Sequence, residues 1–444
     1  MPPPPTRAPL TRRHVLAGAG AAAAVGATGA CGAATTGGAD GPLTFWSSLR
    51  GTENVVAAWN EARPDAPVQF STVPSGGAGG NAKLSNAARA GNAPDVTSME
   101  YADLPGFTLD GVTTDLTDLI SPSFRDAILP QAWDTATFSG RTYAVPLDVE
   151  PMVFLHRPDL LARAGLDVPT TWEEFAEASA TLKSRTGVDL ASFFPNGWPW
   201  LAGYAQQLGA RWFQTDPDAG DGGEWVVDLL DEPTQRVATL WQGLVDERNV
   251  QLVPQGSQEW LASLANDSTA SFIVGAWGAA NLITAVPGGA GKWRAAPLPQ
   301  WAGQTPSLGV QGGSVHVITA DSPRKERAME FLEWMSTSPD SAVARLSSGT
   351  SAMFPAAPSL IGPAADQLDT SYYSGQDYYG FVSGQSELLD VGWLWGPRMQ
   401  ATGASLQDGL ARLEYGTTIE EALAAAEEAT LPDLRSLGLG VRRG

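Results

Sequence analysis

At 444 residues the chain is long enough for two or three domain-sized cores, and with 9% aromatic against 17% charged side chains it has the composition of a folded protein. Its 48 acidic and 27 basic side chains leave a net charge of −21, which nucleic acid phosphates and anionic headgroups would repel, so neither is expected as a surface partner. The single cysteine, Cys31, cannot staple the fold.

Taken in order, the chain begins with a leader. Thr11, Arg12, Arg13, His14, Val15 and Leu16 form a twin-arginine pattern, and the Ala/Gly run that follows to Ala30 is too short to span a bilayer. The next residues, TGAC, look like a bacterial lipobox, in which Cys31 would become the lipidated N-terminus. Thr28 departs from the aliphatic residue usual there, and plain cleavage near Ala30, giving a freely secreted protein, is the alternative. Removing residues 1–30 takes away three arginines and no acid, which moves the net charge from −21 to −24. Any membrane attachment would therefore come from the lipid alone. Residues 32–41 are small and polar, a tether by composition.

Leu43 to Leu49 reads as a strand, Thr52 to Arg63 as a helix with Val55, Val56 and Trp59 on one side, and Val68 to Val73 as a second strand. The loop PSGGAGGN leads into a helix from Ala82 to Ala90. Neither a Gly-Lys-Ser/Thr triplet nor GxGxxG accompanies it, so a close backbone approach to a ligand, or a plain flexible loop, fits better than a phosphate cradle. Asp95 to Met99 is a third strand. Strand and helix alternate, which predicts an open, mainly parallel sheet with its ligand at the carboxyl ends of the strands: Ser47 to Arg50, Pro74 to Asn81, and Glu100 to Asp103.

Gly140 to Thr171 is the pivotal stretch. Tyr143 to Leu147 and Met152 to His156 have strand character, and between them Asp148 and Glu150 alternate with Val149 ahead of Pro151. Strand alternation puts both acids on one face, about 7 Å apart. They either face a gap where the chain crosses between two lobes or sit solvated on an edge strand. Thr171 and Glu174 form a capping box ahead of a helix. A strand near Ala191 to Phe194, the segment NGWPWLAGY, and a helix to Leu208 come next, and residues 214–232, rich in Asp and Gly, read as a surface loop. Helices follow at 233–247 and 257–265, strands at Ala270 to Val274, Trp293 to Leu298 and Leu308 to Thr319, and helices at Ser322 to Met335, 339–347, 397–413 and 418–429.

Sixteen tryptophans are unusually many, and Trp198, Trp200, Trp277, Trp393 and Trp395 stand beside glycine or proline rather than within a periodic face. An indole stacks on the apolar face of a sugar ring, while carboxylates and arginine bond its hydroxyls, so the combination points to carbohydrate. His156 and His316 lie in apolar strands as structural histidines. No HExxH, cysteine cluster or GxSxG is present, and no metal or cofactor is expected. A secreted glycoside hydrolase using Asp148 and Glu150 is the enzymatic rival, although two acids on one short stretch do not flank a scissile bond. A binding protein for another solute is a third possibility.

LTFWSSLRG, NEARPDAPVQF, KLSNAARAGNAPDVTSMEYADLPGF, GRTYAVPLDVEPMVFLHRPDLLARAGLDVPTTWEEF, FIVGAWGAANL and WRAAPLPQ through GGSVHVITADSPRKERAMEFLEWMS together resemble the family 1 extracellular solute-binding proteins, the maltose-binding-protein-like sugar receptors of ABC importers. The resemblance implies an α/β fold of two lobes, each an open mixed sheet flanked by helices, with a hinge that closes over ligand, a motion general to periplasmic binding proteins. The crossings would be Leu147 to Met152, Gly309 to Gly313, and a third near Phe354 to Pro363, leaving lobes of 41–147 plus 314–355 and 152–308 plus 360–444. Carried over by position, the contacts fall on Ser48, Arg50, Glu100, Tyr101, Asp103, Asp148, Glu150, Trp277 and Gln311, and more loosely on Trp198, Trp200, Trp393, Trp395 and Arg398. The family further implies a monomer without enzymatic activity, whose partners are a carbohydrate and the permease subunits of a transporter. It would sit on the outer face of the cell membrane, held by lipidated Cys31.

Overall fold

Alternation builds the first strand: Leu43, Phe45 and Ser47 point into the core while Thr44 and Trp46 stay half-buried between them. Described by a computed structural model are residues 41–216, 224–347, 349, 351, 353–389 and 392–444; the leader, Cys31 and the tether to residue 40 lie outside them. Five strands form the first sheet, in the order Val68–Thr72, Leu43–Ser47, Val96–Glu100, Ser314–Ile318, Val145–Pro146. The first three run parallel, as their helical connections require. Ser314–Ile318 returns antiparallel to Val96–Glu100, and Val145–Pro146 is antiparallel to it in turn, so the sheet is mixed. Pro146 can donate nothing to a ladder, and the strand expected over Tyr143 to Leu147 contracts to two residues.

Helix Thr52–Ala62 buries Val55, Val56 and Trp59 against this sheet. The Trp59 indole meets Phe331 of helix Lys325–Thr337 edge to face at 5.3 Å. At the entry to the helix, Gly51 has φ 76°, and a Cβ there would stand 2.1 Å from the Arg345 carbonyl oxygen, so only glycine fits. Asp95, buried at the base of the third strand, accepts hydrogen bonds from the Thr44 N–H, the Ser322 hydroxyl and Arg324, and thereby ties three distant segments together.

The second main sheet has Met152–His156 at its centre, with Ser271–Gly275 and Arg294–Ala296 antiparallel on either side. Every residue of the first two is buried, which explains why their sequences are continuously apolar rather than alternating. Helix Trp172–Thr186 begins at the capping box expected, with Thr171 and Glu174 bonding reciprocally. Residues 214–232 do not form a simple loop. Phe213–Asp216 and Glu224–Val227 pair antiparallel, and the latter also takes the C-terminal strand Val441–Arg443 as a parallel neighbour. The aromatic and β-branched run Trp225, Val226, Val227 carries a strand that the flanking Asp/Gly content hides.

Two segments run between the two main sheets, and a third stretch at Phe354 lies beside them. Residues 147–152 lie in the middle. Leu147 N–H donates to Ser314 O (3.0 Å), Gln311 N–H to Glu150 O (3.0 Å) and Met152 N–H to Gly309 O (3.0 Å) on one flank, while Val149 N–H donates to Phe354 O (2.8 Å) on the other. Gly309 passes so close to helix Trp198–Gln207 that an added Cβ would meet Gly203 O at 1.9 Å.

Candidate functional site

The three parallel strands of the first sheet end at the same edge, and the loops beyond them line one cavity of about 590 Å³, inside the roughly 300–1,000 Å³ typical of small-ligand sites. Ser48 and Arg50 come from the first loop. Gly76, Gly80 and Asn81 come from the glycine-rich loop, where the backbone itself forms the wall, and Glu100 and Asp103 follow the third strand. Opposite them stand Trp200, near the start of helix Trp198–Gln207, and Trp277 and Asn281, at the start of Gly278–Ala285. Asp148, Glu150, Gln311 and Arg345 line it from the crossing segments and from helix Pro339–Leu346.

The crossing acids hold this arrangement together. Glu150 accepts the Trp277 N–H at 2.7 Å and the Phe354 N–H at 3.3 Å, and Asp148 accepts the Ser314 N–H at 2.5 Å. Gln311 accepts the Gly275 N–H on its side chain (3.1 Å) and the Trp277 Nε1–H on its carbonyl (2.9 Å). The Trp277 ring is thus fixed at both its backbone and its indole nitrogen. Asp148 and Glu150 are buried rather than solvated, because 147–152 is a bridged crossing rather than a regular strand. Burial pushes Asp148 up to about 6, against the pull of the Ser314 N–H and Arg345. Burial and the Asp148 charge push Glu150 well above the carboxylate range.

Glu100 differs from both. It ends the third strand, where its side chain is exposed to water and faces the cavity. Burial, then the charges of Asp103 and Asp148, push it up to about 7. Arg345, fully buried, is pulled down to about 10 by burial, with Asp148 and Glu53 opposing. Burial likewise moves His156 down to about 4 and His316 well below its ordinary value, so both are neutral structural groups.

Nine of the residues singled out in the sequence line the cavity: Ser48, Arg50, Glu100, Asp103, Asp148, Glu150, Trp200, Trp277 and Gln311. Five do not. Tyr101 is turned inward against Gly313, whose φ of +99° brings the backbone over its ring, and its hydroxyl donates to Asp148 O at 3.2 Å. Trp198 begins a helix instead of lying in a loop, with Pro199 in its first turn, and covers Gly403. It meets Trp395 at 6.1 Å, and Trp395 meets Trp393 at 5.2 Å, so these rings pack on one another rather than on a ligand. Arg398 pairs with Asp110 at 3.6 Å beside a smaller adjoining cavity.

The sequence reading missed Trp46, Asn281 and Arg345, and reached Asn81 only as the end of the glycine-rich loop. Trp46 is the outward position of the first strand, beneath Lys83 at 4.4 Å, and its alternation was the available signal. Asn281 follows Trp277 by one helical turn. Arg345 had none, since its approach depends on a helix packing some three hundred residues away in sequence.

The profile of the bacterial extracellular solute-binding proteins matches residues 46–342. The chain belongs to that family. An arabinooligosaccharide-binding protein of Halalkalibacterium halodurans is 25% identical over 292 residues, which cover 64% of this chain and 63% of the relative, so the match spans under two thirds of that protein's length. Among solved structures, the galacto-N-biose-/lacto-N-biose I-binding protein of an ABC transporter from Bifidobacterium longum superposes with a TM-score of 0.80 at 24% identity, covering 91% of this chain and all of the other. The transporter-associated binding protein of B. animalis subsp. lactis in complex with β-1,6-galactobiose gives 0.77 at 24% identity, over 90% and 99%. The fold is therefore that of the two-lobed sugar-binding proteins, as expected. Among the described residues no helix is long and apolar enough to cross a membrane.

Proposed function

We propose that this family member binds a sugar or short oligosaccharide between lobes formed by 41–147 with 314–355 and by 152–308 with 360–444, and passes it to the permease of an ABC importer without chemical change. The observation that carries this reading is the pairing across one cavity of a half-buried indole, Trp277, held at two nitrogens, with a water-accessible carboxylate, Glu100. A sugar ring offers an apolar face to the first and hydroxyl donors to the second. Ligand touching both lobes favours the closed state by its differential affinity. Asp148 and Glu150 are both buried, each holds a backbone N–H, and they stand on one crossing stretch rather than flanking a bond, which weighs against the enzymatic rival. Lipidation at Cys31 would supply the membrane attachment, and Cys31→Ser would then release the protein to the medium.

A thermal-shift screen tests the binding. A ligand at 100 times its Kd stabilises the folded state by about 2.7 kcal/mol. Arabinooligosaccharides, lacto-N-biose, β-1,6-galactobiose and maltodextrins are the first panel, and at least one is expected to raise Tm by several degrees. Amino acids and peptides shifting Tm while every sugar leaves it unchanged would replace the sugar by another solute, and steady release of a hydrolysis product would restore the glycosidase.

A further inference from the structure

The cavity is flanked by two smaller ones, and a side-chain pair stands at each boundary. On one side a cavity of about 190 Å³, walled by Trp260, Leu264 and Phe272, shares Arg50, Trp277 and Asn281 with the main site. There Arg50 Nη1 donates to Asn281 Oδ1 at 3.0 Å, linking the first-sheet loop to the helix behind Trp277. On another side a cavity of about 180 Å³ shares Asn81 and Asp103 with the main site and continues along Pro397 to Gln400. There the Gln400 amide donates to Asp103, and the Arg398–Asp110 ion pair lies beyond it. The two flanking cavities share no residue, so the pairs close different sides.

We infer that Arg50–Asn281 and Asp103–Gln400 are end caps that set the length of ligand the cleft accepts, limiting it to two or three sugar units. This rests on the sugar-binding reading above and deepens it. The main cavity is sized for about two or three pyranose rings. Each flanking space is large enough to take about one more ring, and a longer chain reaches it only by displacing a capping pair. Displacement breaks a bond between the two sides of the cleft and so works against closure. The pairs therefore discriminate by length in a way that the aromatic walls, which present a stacking face to any ring, do not.

The test is calorimetric titration with arabinooligosaccharides, maltooligosaccharides and β-1,6-galacto-oligosaccharides of two to five units, on wild type, Asn281→Ala and Gln400→Ala. In the series that binds, wild-type affinity is expected to fall at least tenfold between three and four units. Each variant is expected to raise the ratio of four-unit to two-unit affinity at least tenfold, with unfolding curves showing that both are folded. Four and five units bound as tightly as three by wild type would overturn the inference. Variants that weaken all lengths equally would do the same, since the pairs would then be closure clamps without a role in length. Absence of binding in all series at all lengths would instead overturn the sugar reading, and the length limit with it.

Discussion

Two groups of tryptophans use the same side chain for opposite ends. Trp200 and Trp277 meet edge to face at 6.4 Å beside the cavity, and their indole nitrogens are spent on the scaffold, Trp200 on Ile273 O at 2.7 Å and Trp277 on Gln311 O. Trp277 stays half-buried with ring surface open to a ligand, while Trp200, buried, backs it. Trp198, Trp212, Trp393 and Trp395 lie instead in a packed chain of rings, with Trp212 and Trp393 5.4 Å apart and the Trp393 Nε1 buried without a protein partner. An indole becomes a platform when its polar edge is anchored and one face is left bare. It becomes core when both faces are covered, even at the cost of an unpaired N–H.

The contrast can be broken from either side. Trp393→Ala is expected to have the largest effect, about 3–5 kcal/mol of stability through the cavity it leaves, with sugar affinity unchanged in the variant that remains folded. Denaturant unfolding and calorimetry together read this, and a loss of affinity would move Trp393 into the site. Trp277→Ala should lose about 2 kcal/mol of binding, roughly 30-fold in Kd, with a smaller change in unfolding midpoint. Equal losses in the two measurements would make it core as well.

Glu150→Gln replaces one acceptor oxygen by a donor facing a backbone N–H, so about 1–3 kcal/mol of stability is expected to go. Affinity should weaken with it, because the Trp277 backbone loses its anchor. The smallest effect is the pH dependence of Glu100. Its pKa is raised in the folded state to about 7, so its contribution to stability is complete below the unfolded carboxylate range and is lost as pH rises through about 7. Wild-type Tm should fall between pH 5.5 and pH 8, and Glu100→Gln should flatten that slope. An unchanged slope would assign it to Asp148 and Glu150, whose raised values have the same sign.

The first strands, the capping box at Thr171 and the paired acids Asp148 and Glu150 ahead of Pro151 were legible from periods and punctuation, whereas most of the nine cavity residues were reached through the family resemblance, by position. What was not legible depended on packing. Trp198 and Trp200 are two residues apart in one helix, and only the second reaches the cavity. No local feature separates them, because the difference lies in Gly403 lying under one ring and Ile273 O meeting the other. Tyr101 was drawn to the site by its neighbours Glu100 and Asp103, yet it supports the crossing from behind. The strand at Glu224–Val227 was masked by composition, and its pairing partners at 213–216 and 441–443 include one more than two hundred residues away.

The central claim is that a sugar is held against the Trp277 ring between the two sides of the cleft. Isothermal titration of wild type, Trp277→Ala and Trp393→Ala with the sugar that gives the largest thermal shift tests it most directly. Saturable binding to wild type, a roughly 30-fold loss in Trp277→Ala and retention in Trp393→Ala is the expected result. Wild-type affinity retained in Trp277→Ala would contradict it.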